Sequence, residues 1–485
     1  MHQIERTVRD AWAGHGDRRL IPITNPADGT ELFAAPVAAE EDVLGAVERA
    51  RAAAPGWADT AAGERGAALH RAADALAARI DDLARLVTLE MGKPLGDARG
   101  GVAAGIGTLR QYAELGPVHR GRSLQGGSSA TDLMVYEPRG VVAAITPWND
   151  PVAVSCGLIG AALATGNTVV YKPSERTPAT GWLLAQVLGA SFPQGVLETL
   201  LGDGATGALL ARQPVDVIAH VGSTATGRAI ARAALDSGAA LDSGAARGAG
   251  PKVLLENGGN DPLIVDAGVD AQWAAAQAAL GSFANAGQIC VSVERVYVHA
   301  SVADEFIEAL VARAEALKQG PGLDPATELG PLVDRRHRDS VHDQVERAVA
   351  DGAKVLCGGE IPAGPGAYYP ATVLSGCTDE MTVMRAETFG PVAPVAVVDS
   401  FPEALVRAAR GDHGLAATVL TRDMAHAQLA WRALPAGTVK INAVFGGAPG
   451  GAAQPRRASG QGFGYGPELL DELTQTKVVH IGLAG

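Results

Sequence analysis

Gly140-Val-Val-Ala-Ala-Ile-Thr-Pro-Trp-Asn149 and Gly166-Asn-Thr-Val-Val-Tyr-Lys-Pro-Ser-Glu175 bracket a run of sequence that can be read in two ways. The 21 residues between Asp150 and Lys172 carry no charge and are nominally long enough to cross a bilayer. Gly166-Asn167, however, cuts the run into a helix-length piece and a β-branched piece ending at Tyr171. Strand, helix, turn and strand in that order make a βαβ unit, so the run is expected to be buried in a protein core and not to span a membrane.

The same texture extends outward. Val196 to Leu201 and Val215 to Val221 are further short β-rich runs separated by helix-length segments, the pattern of a parallel sheet. It resumes with Val253 to Leu255, Leu263 to Val265, a helical stretch to about Asn285, Arg295 to Val298 and a long helix to Gln319. Upstream, residues 40–120 read as helices, with Val43, Val47 and Ala50 at helical spacing. An α/β fold with two α/β units in tandem is expected. Gly446 to Gly451 reads as loop. Leu235-Asp-Ser-Gly-Ala-Ala repeats immediately at Leu241 to Ala246 and is expected to lengthen a surface loop, because loop-closure entropy grows slowly with length.

Composition narrows the function. A chain of 485 residues makes about three units at the usual ~150 residues each. Its 61 glycines and 28 prolines stay below the ~25–30% that marks low complexity. The net charge of −13, with acids spread along the chain, leaves no basic face for phosphates, so nucleic acid is not expected as a partner. The N-terminus mixes charged and polar residues without the apolar run of a signal peptide. Four dispersed cysteines without a Cys-x-x-Cys pair support neither a zinc site nor a disulfide framework, so no metal is expected and the cytoplasm is the expected compartment.

Several residues could carry chemistry. Cys290, in Asn285-Ala-Gly-Gln-Ile-Cys290, follows a helical stretch; Gly287 and Gln288 suit a turn that presents a thiol, while a lone cysteine also serves as a buried hydrophobe. Glu256 ends an apolar strand, where open α/β sheets bind ligands; it is either a base whose affinity for protons is raised by apolar neighbours or a turn acid. Gly222-Ser-Thr-Ala-Thr-Gly227 opens a helix after a strand and offers backbone N–H groups to a phosphate, or is a plain turn. Lys172 and Glu175, just past another strand, suit ribose hydroxyls or a solvated turn.

Taken in order, Thr146-Pro-Trp-Asn149, Lys172-Pro-Ser-Glu175, Gly222-Ser-Thr-x-x-Gly227, Glu256-x-Gly-Gly259, Gly287-Gln-Ile-Cys290, Glu387-Thr-Phe-Gly-Pro391 and Ile441-Asn442 resemble the NAD(P)-dependent aldehyde dehydrogenase superfamily, from about Asn25 to Lys477. The resemblance implies a doubly wound NAD-binding domain (residues 1–120 and 141–254), an α/β catalytic domain (255–440) and a small β oligomerisation element (121–140 and 441–485) building a homodimer or homotetramer. It implies that Cys290 attacks an aldehyde, that Asn149 steadies the oxyanion and that Glu256 activates the water that hydrolyses the thioester. Trp148, Ser223 and the turn from Gly222 to Gly227 would then hold the pyrophosphate of NAD, with Thr146 and Pro147 also at the cofactor. Lys172 and Glu175 would lie at the adenosine ribose, Glu387 at the nicotinamide ribose and Phe389 beside the nicotinamide. A carboxylate at Glu175 favours NAD, with NADP as the alternative. The other readings are a CoA-acylating enzyme, for which Glu256 would be superfluous, and a non-catalytic nucleotide-binding protein of this fold.

The sequence departs from the resemblance at four places. Asp150 stands where an aromatic usually lines the aldehyde tunnel, which suits a polar or cationic aldehyde. Gly157 replaces the Arg that semialdehyde dehydrogenases of the succinate type use for the substrate carboxylate. Asn257 replaces the Leu beside the catalytic Glu. Ala452-Ala-Gln-Pro455 and Phe463-Gly464 alter the C-terminal elements, and these are expected to touch the substrate mouth and subunit contacts while leaving Asn149, Glu256 and Cys290 alone.

Overall fold

The computed structural model describes residues 2–14, 18–239, 250–446 and 451–483. The uncharged run folds into the helix Pro151–Ala164 and the strand Thr168–Lys172, both almost wholly buried. Pro151 starts the helix at a position where its missing N–H costs nothing. Gly166, at φ +87°, ends it in the left-handed conformation that stops helices. Among the described residues, no helix is long and apolar enough to cross a membrane.

Two sheets organise the molecule. The first runs in the spatial order Gly460–Gln461, Lys252–Glu256, Val217–Val221, Val141–Ile145, Thr168–Lys172 and Leu197–Thr199. All neighbours are parallel except the antiparallel Gly460–Gln461, in which Gly460 faces Glu256. Val141, Val142, Ala143 and Ala144 are all fully buried, because helices cover both faces of this sheet. The second sheet runs Lys354–Cys357, Thr372–Ser375, Val392–Val398, Val293–His299, Asp261–Val265, Ala416–Leu420 and Thr438–Ile441, parallel throughout except for its first strand. Between residues 40 and 118, four helices, Glu40–Asp59, Ala62–Ala77, Ile80–Met91 and Leu95–Val118, fill the region read as helical.

A third, three-stranded sheet stands apart. Thr474–Ile481 pairs antiparallel with Thr131–Pro138, from Thr474 opposite Pro138 to Ile481 opposite Thr131, and Arg122–Leu124 lies on the other side.

Some expected elements shift. The run from Val196 to Leu201 yields only Leu197–Thr199, and that from Val215 begins at Val217, because the Val215 N–H is taken by the Gln213 carbonyl in a turn. The long helix after the strand at Arg295 ends at Ala316, short of Gln319. The first copy of the duplicated hexapeptide is not loop: its backbone through Ala239 continues the helix Thr224–Ala239. The second copy, like residues 447–450 of the Gly-rich stretch, lies outside the described residues.

Candidate active site

Cys290 follows a helix, Ala271–Phe283, that ends in an unusual turn. Asn285, Ala286 and Gly287 take φ of +50°, +54° and +72° in succession, all left-handed. Asparagine and glycine adopt this readily; alanine does so only at a cost of order 1–3 kcal/mol. The turn is fixed from inside. The Asn285 amide donates to the Asn149 carbonyl at 3.4 Å and to the Gln288 carbonyl at 3.1 Å. The Gln288 amide donates back to the Asn285 carbonyl at 3.1 Å, and its oxygen accepts from the Val333 N–H at 2.9 Å. Gln288 thus braces the loop and does not face the thiol. Gly287 admits no side chain, since a Cβ there would stand 2.0 Å from the Gly390 carbonyl oxygen.

Asn149 and Glu256 meet this loop from the first sheet. Asn149 follows the strand Val141–Ile145, is 8% exposed, and donates through its side-chain amide to the Gln288 carbonyl at 3.1 Å. Glu256 ends Lys252–Glu256, and its carboxylate accepts from the Gly464 N–H at 3.1 Å. A Cβ on residue 464 would lie 2.1 Å from Glu256 Cγ. The altered Phe463-Gly464 element therefore does reach Glu256, correcting the expectation that it would leave this residue alone. Burial pushes the Glu256 carboxyl up to about 8. Burial likewise pushes the Cys290 thiol up to about 12, with repulsion from Glu256 the strongest of the charges around it, followed by Asp261, Glu387 and Asp150. At neutral pH the resting group is therefore a thiol. Cys156 and Cys377 are buried and also pushed up by burial.

A cleft of about 660 Å³ opens over the C-terminal end of the first sheet. Thr146, Pro147, Trp148, Lys172, Glu175, Gly222 and Ser223 all line it, with Arg176 and His220. Lys172 is 3% exposed, donates to the Pro173 carbonyl at 2.8 Å and lies 3.9 Å from Glu175; burial lowers its proton affinity. Ser223 caps the following helix, its hydroxyl accepting from the Thr226 N–H at 3.3 Å. Gly227 is needed for a different reason from Gly222: its absent Cβ leaves room for Asn257, whose side chain would otherwise be 2.1 Å away, and the Asn257 amide ties the chain to the Ala458 carbonyl at 3.0 Å. Thr146 is buried and accepts from the Ser155 hydroxyl at 3.0 Å. The buried oxygen of Thr224 and the Nε2 of His220 have no protein partner. A buried cation, the unpartnered Nε2 of His220 and a helix N-terminus around one cleft fit the phosphate and ribose groups of a dinucleotide.

Glu387 and Phe389 close the other wall. The Glu387 carboxylate accepts from the Gly259 N–H at 3.2 Å and lies where a Gly258 side chain would go, within 2.1 Å of that position. Burial and the nearby Glu294 raise its proton affinity well above that of an ordinary carboxylate. Phe389 is left-handed at φ +52°, and its ring meets Trp148 edge-on at 5.4 Å between centroids. Asn442, by contrast, spends its side chain on Thr421, accepting from its N–H at 2.8 Å and donating to its carbonyl at 3.0 Å.

Several contributors escaped the sequence reading. Gly464 lies in a Gly-rich tail that gives no hint of its target. Arg176 stacks over Trp148 at 5.2 Å and pairs with Asp334 at 3.1 Å; His337 donates through Nε2 to the Phe389 carbonyl at 2.7 Å. Asp150 is paired with the buried Lys93 at 3.5 Å, so its charge is compensated. A Cβ at Gly157 would meet nothing within 4 Å.

Comparison with known proteins supplies the family. Residues 12–479 match the model of the aldehyde dehydrogenase family. A betaine aldehyde dehydrogenase of Cereibacter sphaeroides is 37% identical over 477 residues, covering 96% of this chain and 94% of the relative. An indole-3-acetaldehyde dehydrogenase structure in complex with NAD+ superposes with a TM-score of 0.91 at 33% identity, covering 96% and 94% of the two chains. An Escherichia coli NADP-dependent enzyme does so with a TM-score of 0.90 at 33% identity, covering 96% and 95%. The chain belongs to the aldehyde dehydrogenase family, and it oxidises an aldehyde to a carboxylic acid with NAD or NADP as acceptor.

Proposed function

We propose that Cys290 is the nucleophile, Glu256 the base and Asn149 the oxyanion donor of this oxidation. The observation that carries the reading is the convergence on one loop: Asn149 is bonded to Gln288, two residues before Cys290, while Glu256 is the charge that bears most strongly on the thiol. Cys290 passes its proton to solvent water as its sulfur bonds to the aldehyde carbon. One hydrogen of the Asn149 amide is held by Gln288, and the other serves the oxygen that gains charge. The bound dinucleotide supplies the hydride acceptor. Glu256 then takes a proton from the water that attacks the Cys290 thioester, and the released thiolate is reprotonated as the acid departs. Cys290→Ala is expected to reduce aldehyde-dependent NADH formation by roughly 10³-fold or more while leaving NAD binding intact. Activity retained without this thiol would overturn the assignment.

For the cofactor, Lys172 and Glu175 would hold the adenosine ribose, the backbone from Gly222 to Gly227 the pyrophosphate, and Glu387 and Phe389 the nicotinamide end. Glu175 supports NAD over NADP, because a carboxylate accepts from ribose hydroxyls and repels a 2′-phosphate. For the substrate, the compensation of Asp150 by Lys93 removes the argument for a cation and leaves a neutral polar aldehyde as the better match. Residues 1–120 and 141–254 would act as the cofactor domain and 255–440 as the catalytic domain. The segments 121–140 and 441–485 would assemble a cytoplasmic homodimer or homotetramer. Val478 and Ile481, 67% and 57% exposed on the three-stranded sheet, support that assembly role.

A further inference from the structure

The Glu387–Phe389 segment is held by a residue outside the motifs that mark the site. Glu294, second in the strand Val293–His299, is 5% exposed. One carboxylate oxygen accepts from the Phe389 N–H at 2.8 Å and the Thr388 N–H at 3.1 Å; the other accepts from the Thr388 N–H at 3.0 Å and the Asn260 amide at 3.2 Å. A buried carboxylate is costly unless such donors satisfy it. Two successive backbone N–H groups turned onto one anion form the concavity that polypeptide uses to grip a negative charge. It is this grip that accompanies the left-handed φ of Phe389.

The remaining contacts hold the segment by its carbonyls. The Gln344 amide donates to the Glu387 carbonyl at 3.1 Å, the Asn260 amide to the Ala386 carbonyl at 3.1 Å, and His337 lies at the Phe389 carbonyl. Among the described residues, only Glu294 is recorded taking the N–H groups of Thr388 and Phe389. Without it those two donors would be buried unpaired, and the peptide that aims Glu387 on one side and Phe389 on the other could rotate.

We infer that Glu294 is a positioning residue for the nicotinamide half of the cofactor, acting through the Thr388 and Phe389 amides to set Glu387 and Phe389. The inference rests on the placement of those two residues at the nicotinamide end proposed above. Glu294→Gln removes the charge and leaves one acceptor oxygen for three donors, the Thr388 and Phe389 N–H groups and the Asn260 amide.

The test is direct binding, without turnover. NADH affinity is read from the fluorescence of the reduced nicotinamide, and AMP, which fills only the adenosine half, is titrated in parallel. Glu294→Gln is expected to weaken NADH about ten-fold, as loss of a hydrogen bond to a charged group predicts, with AMP affinity unchanged. Glu294→Ala is expected to weaken NADH further where it folds; the Gln variant carries the test where it does not. Glu387→Gln is the companion, and the Glu294→Gln/Glu387→Gln pair is expected to fall short of the product of the single effects. Equal weakening of NADH and AMP would show a general loss of fold and overturn the inference. Normal NADH affinity in Glu294→Gln beside a weakened Glu387→Gln would refute the positioning role alone. Normal affinity in Glu387→Gln would instead refute the placement of Glu387.

Discussion

The two walls of the site are built by different means. The cleft over the first sheet uses ordinary strand-to-helix turns: Gly222 opens space without a positive φ, Ser223 caps its own helix, and Lys172 simply ends a strand. The facing wall, from the second sheet, uses strain. Of the five non-glycine residues with positive φ among those described, Asn285, Ala286 and Phe389 all lie in its two loops, with Gly287 between them. The difference matches the tasks. In the proposed roles, relaxed backbone holds the adenosine half of a cofactor that must come and go, whereas Cys290 and the residues at the nicotinamide end sit on locked loops.

The sharpest way to test this division is to disable Glu256, the proposed base, which the relaxed wall supplies together with Asn149. Glu256→Gln is expected to lower steady-state turnover by roughly 10³-fold while still giving a single burst of NADH per site, because thiol attack and hydride loss precede the step that needs the base. In the unaltered enzyme, Glu256 is pushed up to about 8, so it is protonated and idle at lower pH. Turnover should rise as pH increases through that value, and this limb should vanish in the variant. A rate independent of pH between 6 and 9 would remove Glu256 as the base.

Gly464→Ala attacks the same group from outside. The new Cβ would lie 2.1 Å from Glu256 Cγ, so the carboxylate or the tail must move. A fall in kcat of roughly 10- to 100-fold is expected, of the size caused by misplacing a catalytic group by about 1 Å, with little change in the KM for NAD. An unaltered kcat would mean that the tail yields and that the 3.1 Å hydrogen bond contributes nothing.

On the relaxed wall the expected effects are smaller and concern selectivity. Glu175→Gln removes the charge that opposes a 2′-phosphate and should raise kcat/KM for NADP relative to NAD by about ten-fold, at a cost of about 1.4 kcal/mol in discrimination. An unchanged ratio would shift cofactor choice to Arg176, which already stacks on Trp148 in the same cleft.

How much of this was visible in the sequence follows the same division. The first sheet was legible because its strands are short apolar runs punctuated by Gly166-Asn167 and Gly222, and local chemistry dictates local structure there. Cys290, Glu256 and Asn149 could be named from ordered motifs. The grip of Glu294 on Thr388 and Phe389, the approach of Gly464 to Glu256, and the pairing of Asp150 with Lys93 join residues 94, 208 and 57 positions apart, each with no local signature. Gln288 was legible as part of a turn that presents the thiol, whereas its brace to Val333, from another element, was not. Sequence shows which groups are present; packing decides which of their lone pairs and protons are already spent.

The smallest predicted effect separates strain from space in the facing wall. Ala286 and Gly287 are neighbours with left-handed φ of +54° and +72°, yet they should respond oppositely to exchange. Ala286→Gly relieves the strain of a Cβ in that region, but it also adds freedom to the unfolded chain worth about 0.5–1 kcal/mol, which offsets part of the relief and leaves a small net gain. The thermal midpoint should move by no more than about 2 °C, and kcat should stay within about two-fold. Gly287→Ala puts a Cβ 2.0 Å from the Gly390 carbonyl, a clash with backbone that cannot swing aside. It should drive the Cys290 loop away from the segment carrying Glu387 and Phe389, lowering both activity and NADH affinity. If Ala286→Gly proved as damaging as Gly287→Ala, the backbone conformation itself, and not the room around it, would be what aligns the thiol, and the strain at Ala286 would be an active part of the site.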